Sequence, residues 1–140
     1  MITRQADYAL RMVVFMAAYK DEKLTTDYIA YKANIPRSFL PRIIASLAAK
    51  KLILTYRGKS GGVKLARDPS EISVFDVIEA IDGHVIINAC LVDKDVCIFT
   101  GTCKLRDFWL DLQETLVNRL KTTKISDLIV DYDVDKIKGD

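Results

Sequence analysis

The sequence predicts a mainly α-helical chain carrying one basic β-hairpin and ending in a long helix. Three observations point there: apolar residues recur at three- and four-residue spacing through the first 50 positions, a glycine-rich turn joins two β-rich runs at 52–67, and an apolar seam at helical spacing runs on beyond residue 104. With 140 residues, 50% of them hydrophobic, the chain has enough material for one sizeable core plus an appended element. No apolar run reaches the length of a membrane span and no secretory h-region lies near Met1, so a cytoplasmic protein without membrane contact is expected.

Thr3 is positioned to cap a first helix, in which Ala6, Ala9, Leu10, Val13, Val14, Ala17 and Ala18 form the buried stripe and which ends near Lys20. A short second helix over 24–34 is opened by Thr25 or Thr26, and Ala33-Asn34-Ile35-Pro36 stops it. The third helix runs to about Lys51. Pro41 fixes its start, because proline is tolerated where its missing N–H would be unsatisfied anyway, which makes Ser38 the expected N-cap. Ile43, Ile44, Leu47 and Ala48 then face inward, and Arg42, Ser46 and Lys50 outward.

Leu52-Ile53-Leu54-Thr55-Tyr56-Arg57 and Val63-Lys64-Leu65-Ala66-Arg67 read as paired strands about the turn Gly58-Lys59-Ser60-Gly61-Gly62. Ser73 caps a fourth helix that Asp82-Gly83 ends. Leu105, Trp109, Leu112, Leu116 and Leu120 align on one face of the last long helix, a seam that needs a partner and is read as a two-fold dimer contact. Residues 136–140 are expected to fray.

Charge divides the chain. Residues 1–67 hold 13 Lys and Arg against 4 Asp and Glu, a net +9, whereas residues 68–140 hold 8 against 15, a net −7. The basic part suits a polyanion, and the acidic part suits sensing or self-association. Three helices followed by a basic hairpin spell a winged helix-turn-helix. In such a domain Arg37, Ser38, Phe39 and Arg42 at the start of the third helix are placed for the major groove, with Arg42 favoured for a bidentate guanine contact and Phe39 for core or thymine methyl. Arg57, Lys59, Ser60 and Lys64 on the wing would meet the minor groove or backbone. One histidine, no nucleophile–base pair and no phosphate-binding fingerprint leave nothing for an enzyme.

Cys90, Cys97 and Cys103 are the only cysteines, gathered in one polar stretch. An odd number of thiols cannot all pair within one chain, and a soft metal or an iron-sulfur cluster is their natural partner. Structural zinc, or thiol-based sensing without metal with Lys104 beside Cys103, are the other readings.

Five segments in this order resemble the Rrf-two-type winged-helix transcriptional regulators over essentially the whole chain. They are Asp7-Tyr8-Ala9-Leu10-Arg11, Ile35-Pro36-Arg37-Ser38-Phe39-Leu40, the wing from Arg57 to Arg67, Val77-Ile78-Glu79-Ala80-Ile81-Asp82-Gly83, and the three cysteines. The resemblance implies a homodimeric regulator of a double-stranded DNA operator whose affinity depends on an iron-sulfur cluster, [4Fe-4S] in preference to [2Fe-2S]. Six residues separate the first two cysteines and five the last two, where many relatives have five and five. Three thiolates leave one ligand open. The iron-sulfur cluster regulators of this family place a histidine three positions after the last cysteine, where this chain has Arg106. The nitric-oxide-sensitive branch uses an aspartate at the place of Asp7, reaching the cluster of the partner subunit. Asp7 is therefore the first candidate, then His84, with Asp93, Asp95, Asp107, solvent or a small thiol behind them. A repressor that releases DNA when nitric oxide or oxidants attack the cluster is the expectation; an iron-status or Fe-S-status regulator of the same family is the alternative. The expected organisation is a DNA-binding domain with its linking helix at 1–83, a cluster loop at 84–104 and a dimerisation helix with C-terminal segment at 105–132.

Overall fold

A computed structural model describes residues 2–138. The first helix, α1 (Arg4–Ala18), starts where Thr3 accepts a hydrogen bond from the Ala6 N–H. It is more enclosed than its stripe suggests. Besides Ala6, Ala9, Val13, Val14 and Ala17 it buries Met12, Phe15 and Met16, because α1 lies between α3 (Leu40–Ala49) on one side and α4 (Val74–Asp82) on another. Between α1 and α3 stands α2 (Thr26–Lys32), capped by Thr25.

The entry to α3 differs from expectation. Residues Arg37–Phe39 form a 3₁₀ turn, Ser38 makes no capping hydrogen bond, and α3 begins only at Leu40 with Pro41 in its first turn. The tighter turn leaves the Ser38 side chain exposed instead of folded over a helix end. Ile43 and Leu47 are buried, with Ile44 and Ala48 half-buried beside them.

Strands β1 (Ile53–Tyr56) and β2 (Gly62–Leu65) pair antiparallel, Ile53 opposite Leu65 and Tyr56 opposite Gly62. A second pairing fastens the hairpin to the turn before α2: the Leu24 N–H donates to the Val63 carbonyl at 2.9 Å and the Val63 N–H to the Leu24 carbonyl at 2.8 Å. Gly62 makes this approach possible, since its φ is +153° and a Cβ there would stand 2.5 Å from the Leu24 carbonyl oxygen.

Ser73 and Asp76 close a reciprocal capping box on α4, and Gly83 ends that helix with φ +77°. The Asp82 carboxylate at the far end of α4 accepts from the Thr3 hydroxyl (2.6 Å) and N–H (3.2 Å), tying the starts and ends of the two packed helices. One core cluster runs through α1 to α4 and both strands.

Residues 84–103 hold two 3₁₀ turns, Ala89–Leu91 and Lys94–Val96, before α5 (Lys104–Thr122). No residue of α5 is fully buried. Of the predicted seam, Leu116 and Leu120 turn toward the chain's own α4 side, while Leu105 and Leu112 stay exposed together with Phe108. Beyond α5 the fully buried Ile125 donates its N–H to Ile72 at 2.8 Å and anchors the C-terminal segment. The expected fraying from Lys136 gives way to a short helix, α6 (Val134–Lys138), whose acidic approach is ion-paired to α2; Gly139 and Asp140 lie outside the described residues. No helix among the described residues is long and apolar enough to cross a membrane.

Candidate nucleic-acid interface and cysteine loop

The basic residues of α3 and the wing share a common feature: their side chains point to solvent. Arg37, Ser38 and Arg42 are exposed at the start of α3, and Arg57, Lys59 and Ser60 are exposed at the wing tip, with Lys64 half-buried on β2. Arg37 is ion-paired with Asp27 in the first turn of α2, both side chains remaining largely in water. That pair is easily exchanged for a phosphate, because an exposed ion pair is worth little. Phe39 differs from its neighbours. Its ring packs edge-on against Tyr8 at 4.9 Å and leans on the core, the first of the two roles its sequence position suggested.

Sequence reasoning passed over two members of this surface. The Lys23 ammonium lies 4.9 Å from the centre of the Tyr56 ring, which places a cation and a half-exposed aromatic between the α1–α2 turn and the wing. Lys23 was visible only as one charge among many; its partner becomes apparent once Leu24 pairs with Val63.

The cysteine loop is tied to α5 at two points. Arg106 Nε donates to the Cys90 carbonyl at 3.3 Å, and the Ile87 N–H donates to the Gln113 side chain at 3.1 Å. Arg106 thus fastens the loop backbone at Cys90 to the first turn of α5. All three thiols are unpaired: Cys97 is exposed, Cys90 and Cys103 half-exposed, and Cys103 occupies the N-cap of α5. An anionic thiolate or cluster at that position would meet the positive end of the helix dipole. Among the described residues no three His, Cys, Asp or Glu side chains converge to a metal-holding distance within one chain. As a donor set, three free thiols in one loop still suit a soft centre.

The fourth-ligand candidates lie elsewhere. Asp7 and His84 line one cavity of about 550 Å³ between α1, α4 and α5, walled by Leu10, Ile78, Ile87, Leu116 and Leu120, and no cysteine lines it. The Asp7 carboxylate is exposed at its mouth. Asp93 accepts from the Asp95 N–H within the loop, and Asp107 sits in the first turn of α5. The structure therefore brings the cysteines into one loop and Asp7 beside His84, but does not bring the two groups together in one subunit.

Three packed helices, a hairpin wing fastened to the second of them, and an exposed basic surface on both define a winged helix-turn-helix protein of the kind that binds DNA. Comparison with known proteins narrows this. The family described as "Rrf2: Iron-dependent Transcriptional regulator" matches residues 2–131, and the chain belongs to that family of transcriptional regulators. It is 32% identical over 128 residues to an HTH-type transcriptional regulator of Mycobacterium tuberculosis, covering 91% of this chain and 80% of that one. It is also 29% identical over 132 residues to the HTH-type transcriptional regulator NsrR of Geobacillus kaustophilus, covering 93% and 90%. Among solved structures, CymR, the global cysteine regulator of B. subtilis, superposes with a TM-score of 0.77 at 22% identity, covering 92% of this chain and 95% of that one. T. potens IscR superposes with a TM-score of 0.73 at 19% identity, covering 91% and 85%. These two likenesses establish the fold.

Proposed function

We propose that this chain is a homodimeric repressor whose hold on its operator depends on an iron-sulfur cluster carried by Cys90, Cys97 and Cys103, with nitric oxide or oxidants as the signal. The observation that carries this reading is the set of three unpaired thiols in a loop that opens directly into α5. Asp7 would complete the ligand set of the partner subunit's cluster, which accounts for its exposed carboxylate and its separation from the cysteines of its own chain. When bound, such a cluster supplies a centre that small oxidants and nitric oxide attack, most readily at an iron held by a weak carboxylate.

The residues around it do the rest. Arg106 and Gln113 hold the loop on α5, so loosening the loop loosens the helix. The exposed Leu105, Phe108 and Leu112 would pack against the same face of a second copy. Arg37, Ser38 and Arg42 would enter the major groove, Phe39 would brace that turn from the core side, and Arg57, Lys59, Ser60 and Lys64 would hold the wing on the backbone. A shift of one recognition helix by a few ångströms relative to its mate breaks simultaneous engagement of two half-sites.

The test is anaerobic purification with iron and sulfide quantification and a visible spectrum, followed by nitric oxide titration against a labelled operator. About four irons and four sulfides per chain, with DNA released on titration, is the expected result. A colourless protein holding one zinc would make the cysteines structural, and a cluster indifferent to nitric oxide would turn the reading toward iron or Fe-S status. Asp7→Ala with an unchanged cluster and unchanged reactivity would remove the ligand assignment.

A further inference from the structure

Acidic residues of the C-terminal segment reach back across the whole chain to the DNA-binding half. Asp131 accepts from the Tyr19 hydroxyl at 2.9 Å, at the end of α1. Lys32, in the last turn of α2, donates to Asp133 at 3.2 Å and to Asp135 at 2.8 Å, and the neighbouring Tyr31 hydroxyl donates to Asp135 at 2.6 Å. The Lys32–Asp133 pair is well shielded, with 20% and 14% of the two side chains exposed. The Asp135 carboxylate, with Asp133 behind it, raises the Lys32 ammonium above its usual value. Val134 sits in the same small cleft as Tyr31, Asp27 and Arg37.

The other end of this segment is fixed at the start of α4, where the end of α5 meets the core. Lys124 pairs with Ser73 at the start of α4, the Val74 N–H donates to the Thr123 carbonyl at 2.9 Å, and Ile125 is fully buried. A continuous connection therefore runs from Cys103 along α5 to the Ile125 anchor, then through the arm to α2. The arm itself buries little. Leu128, Ile129, Val130 and Ile137 are 42%, 46%, 50% and 81% exposed, so polar contacts, not a core, hold it down. Such a segment opens at low cost.

We propose that residues 129–138 form an electrostatic latch that clamps α2 to the junction of α4 and α5, so that the seating of the arm governs how well the helix-turn-helix discriminates its operator. The proposal rests on α2 and α3 being the DNA-reading pair. Seated, the arm holds the end of α2 and, through it, the turn that presents Arg37. Unseated, α2 keeps its apolar face, Ile29 and Ala30, the Tyr28 ring against Phe15 and Tyr19, and the Leu24–Val63 pairing at its start, but its last turn loses the charged clamp.

Two full-length variants release the latch with opposite changes in net charge: Asp133→Asn with Asp135→Asn, and Lys32→Met. Amide exchange of α2 is followed in the DNA-free protein, and binding is measured to the operator and to unrelated duplex at several salt concentrations. The expected result is exchange of the last turn of α2 accelerated by about tenfold in both variants. The ratio of operator to non-specific affinity should fall by about tenfold in both, whatever their net charge. Exchange that stays at the wild-type rate overturns the latch, and this holds without reference to DNA, so its failure is distinguishable from failure of the DNA-reading assignment. A preserved ratio, with affinities merely rising in the Asp variants and falling in Lys32→Met, overturns the coupling.

Discussion

The winged half and the cysteine-loop half use apolar residues in opposite ways. Among the described residues, 24 buried side chains close on one another into a single cluster, 23 of them from α1 to α4, the hairpin and their connections, and Ile125 is the one member contributed from beyond α4. In α5 and the loop before it, Ile98, Phe99, Leu105, Phe108 and Leu112 are between 42% and 92% exposed. A region with its own core has one conformation available. A region whose apolar residues face outward takes its final form from what it meets, which would suit the sensing role proposed for it.

The contrast yields graded tests. Phe15→Ala, in the middle of α1 and fully buried, should cost about 3–5 kcal/mol by urea unfolding; a smaller loss would mean that the core yields more readily than its packing implies. Gly62→Ala should cost about 1–3 kcal/mol, because the new methyl meets the Leu24 carbonyl and φ at that residue is positive, and chemical shifts should change at both Leu24 and Val63. Ser73→Ala removes the α4 capping box and should cost about 1 kcal/mol, read from the same unfolding curves. Phe108→Ala, by contrast, should move the stability of an isolated subunit by less than about 0.5 kcal/mol. In analytical ultracentrifugation it should weaken self-association, and a variant that sediments as wild type would show that this face of α5 is not the contact.

Acid gives the mildest effect. Lys20, with the Ser70 N–H and hydroxyl, holds the Asp68 carboxyl below the usual carboxylate range, and Lys136 does the same for Asp131. A carboxylate depressed by folding adds stability that is intact above its unfolded value near 4 and is lost as pH falls through the folded value. Tm should therefore be flat from pH 7 to about 5 and decline below, and Asp68→Asn should flatten the upper part of that decline.

Local chemistry was legible in the sequence at most places where its partners were close along the chain. The Thr3 and Ser73 caps, Pro41 in the first turn of α3, and the helix end at Gly83 all depend on neighbours within four residues, and all stand where the sequence put them. Ser38 was misread because a 3₁₀ turn and an N-cap share the same residue preferences, and only the hydrogen bonding separates them. The C-terminal arm was illegible for a different reason. The alternation Asp131, Asp133, Asp135 has no local meaning, since its partners Tyr19, Tyr31 and Lys32 lie more than 100 positions earlier. The cysteines raised a candidate site by composition alone, while the separation of Asp7 from them within one chain is a fact of tertiary structure.

The pairing of Leu24 with Val63 bears on how operators for this protein can vary. Because that bridge joins the wing to the approach of α2, the proposed reading of DNA by the helix-turn-helix and the hairpin would be made by one rigid key, and neither part could slide to accommodate a half-site whose two features are differently phased. Within a half-site the geometry is a fixed ruler. In the proposed dimer, any tolerance for longer or shorter operators would lie in the gap between two such keys, and a search for its binding sites should hold the half-site constant and let only the spacer float.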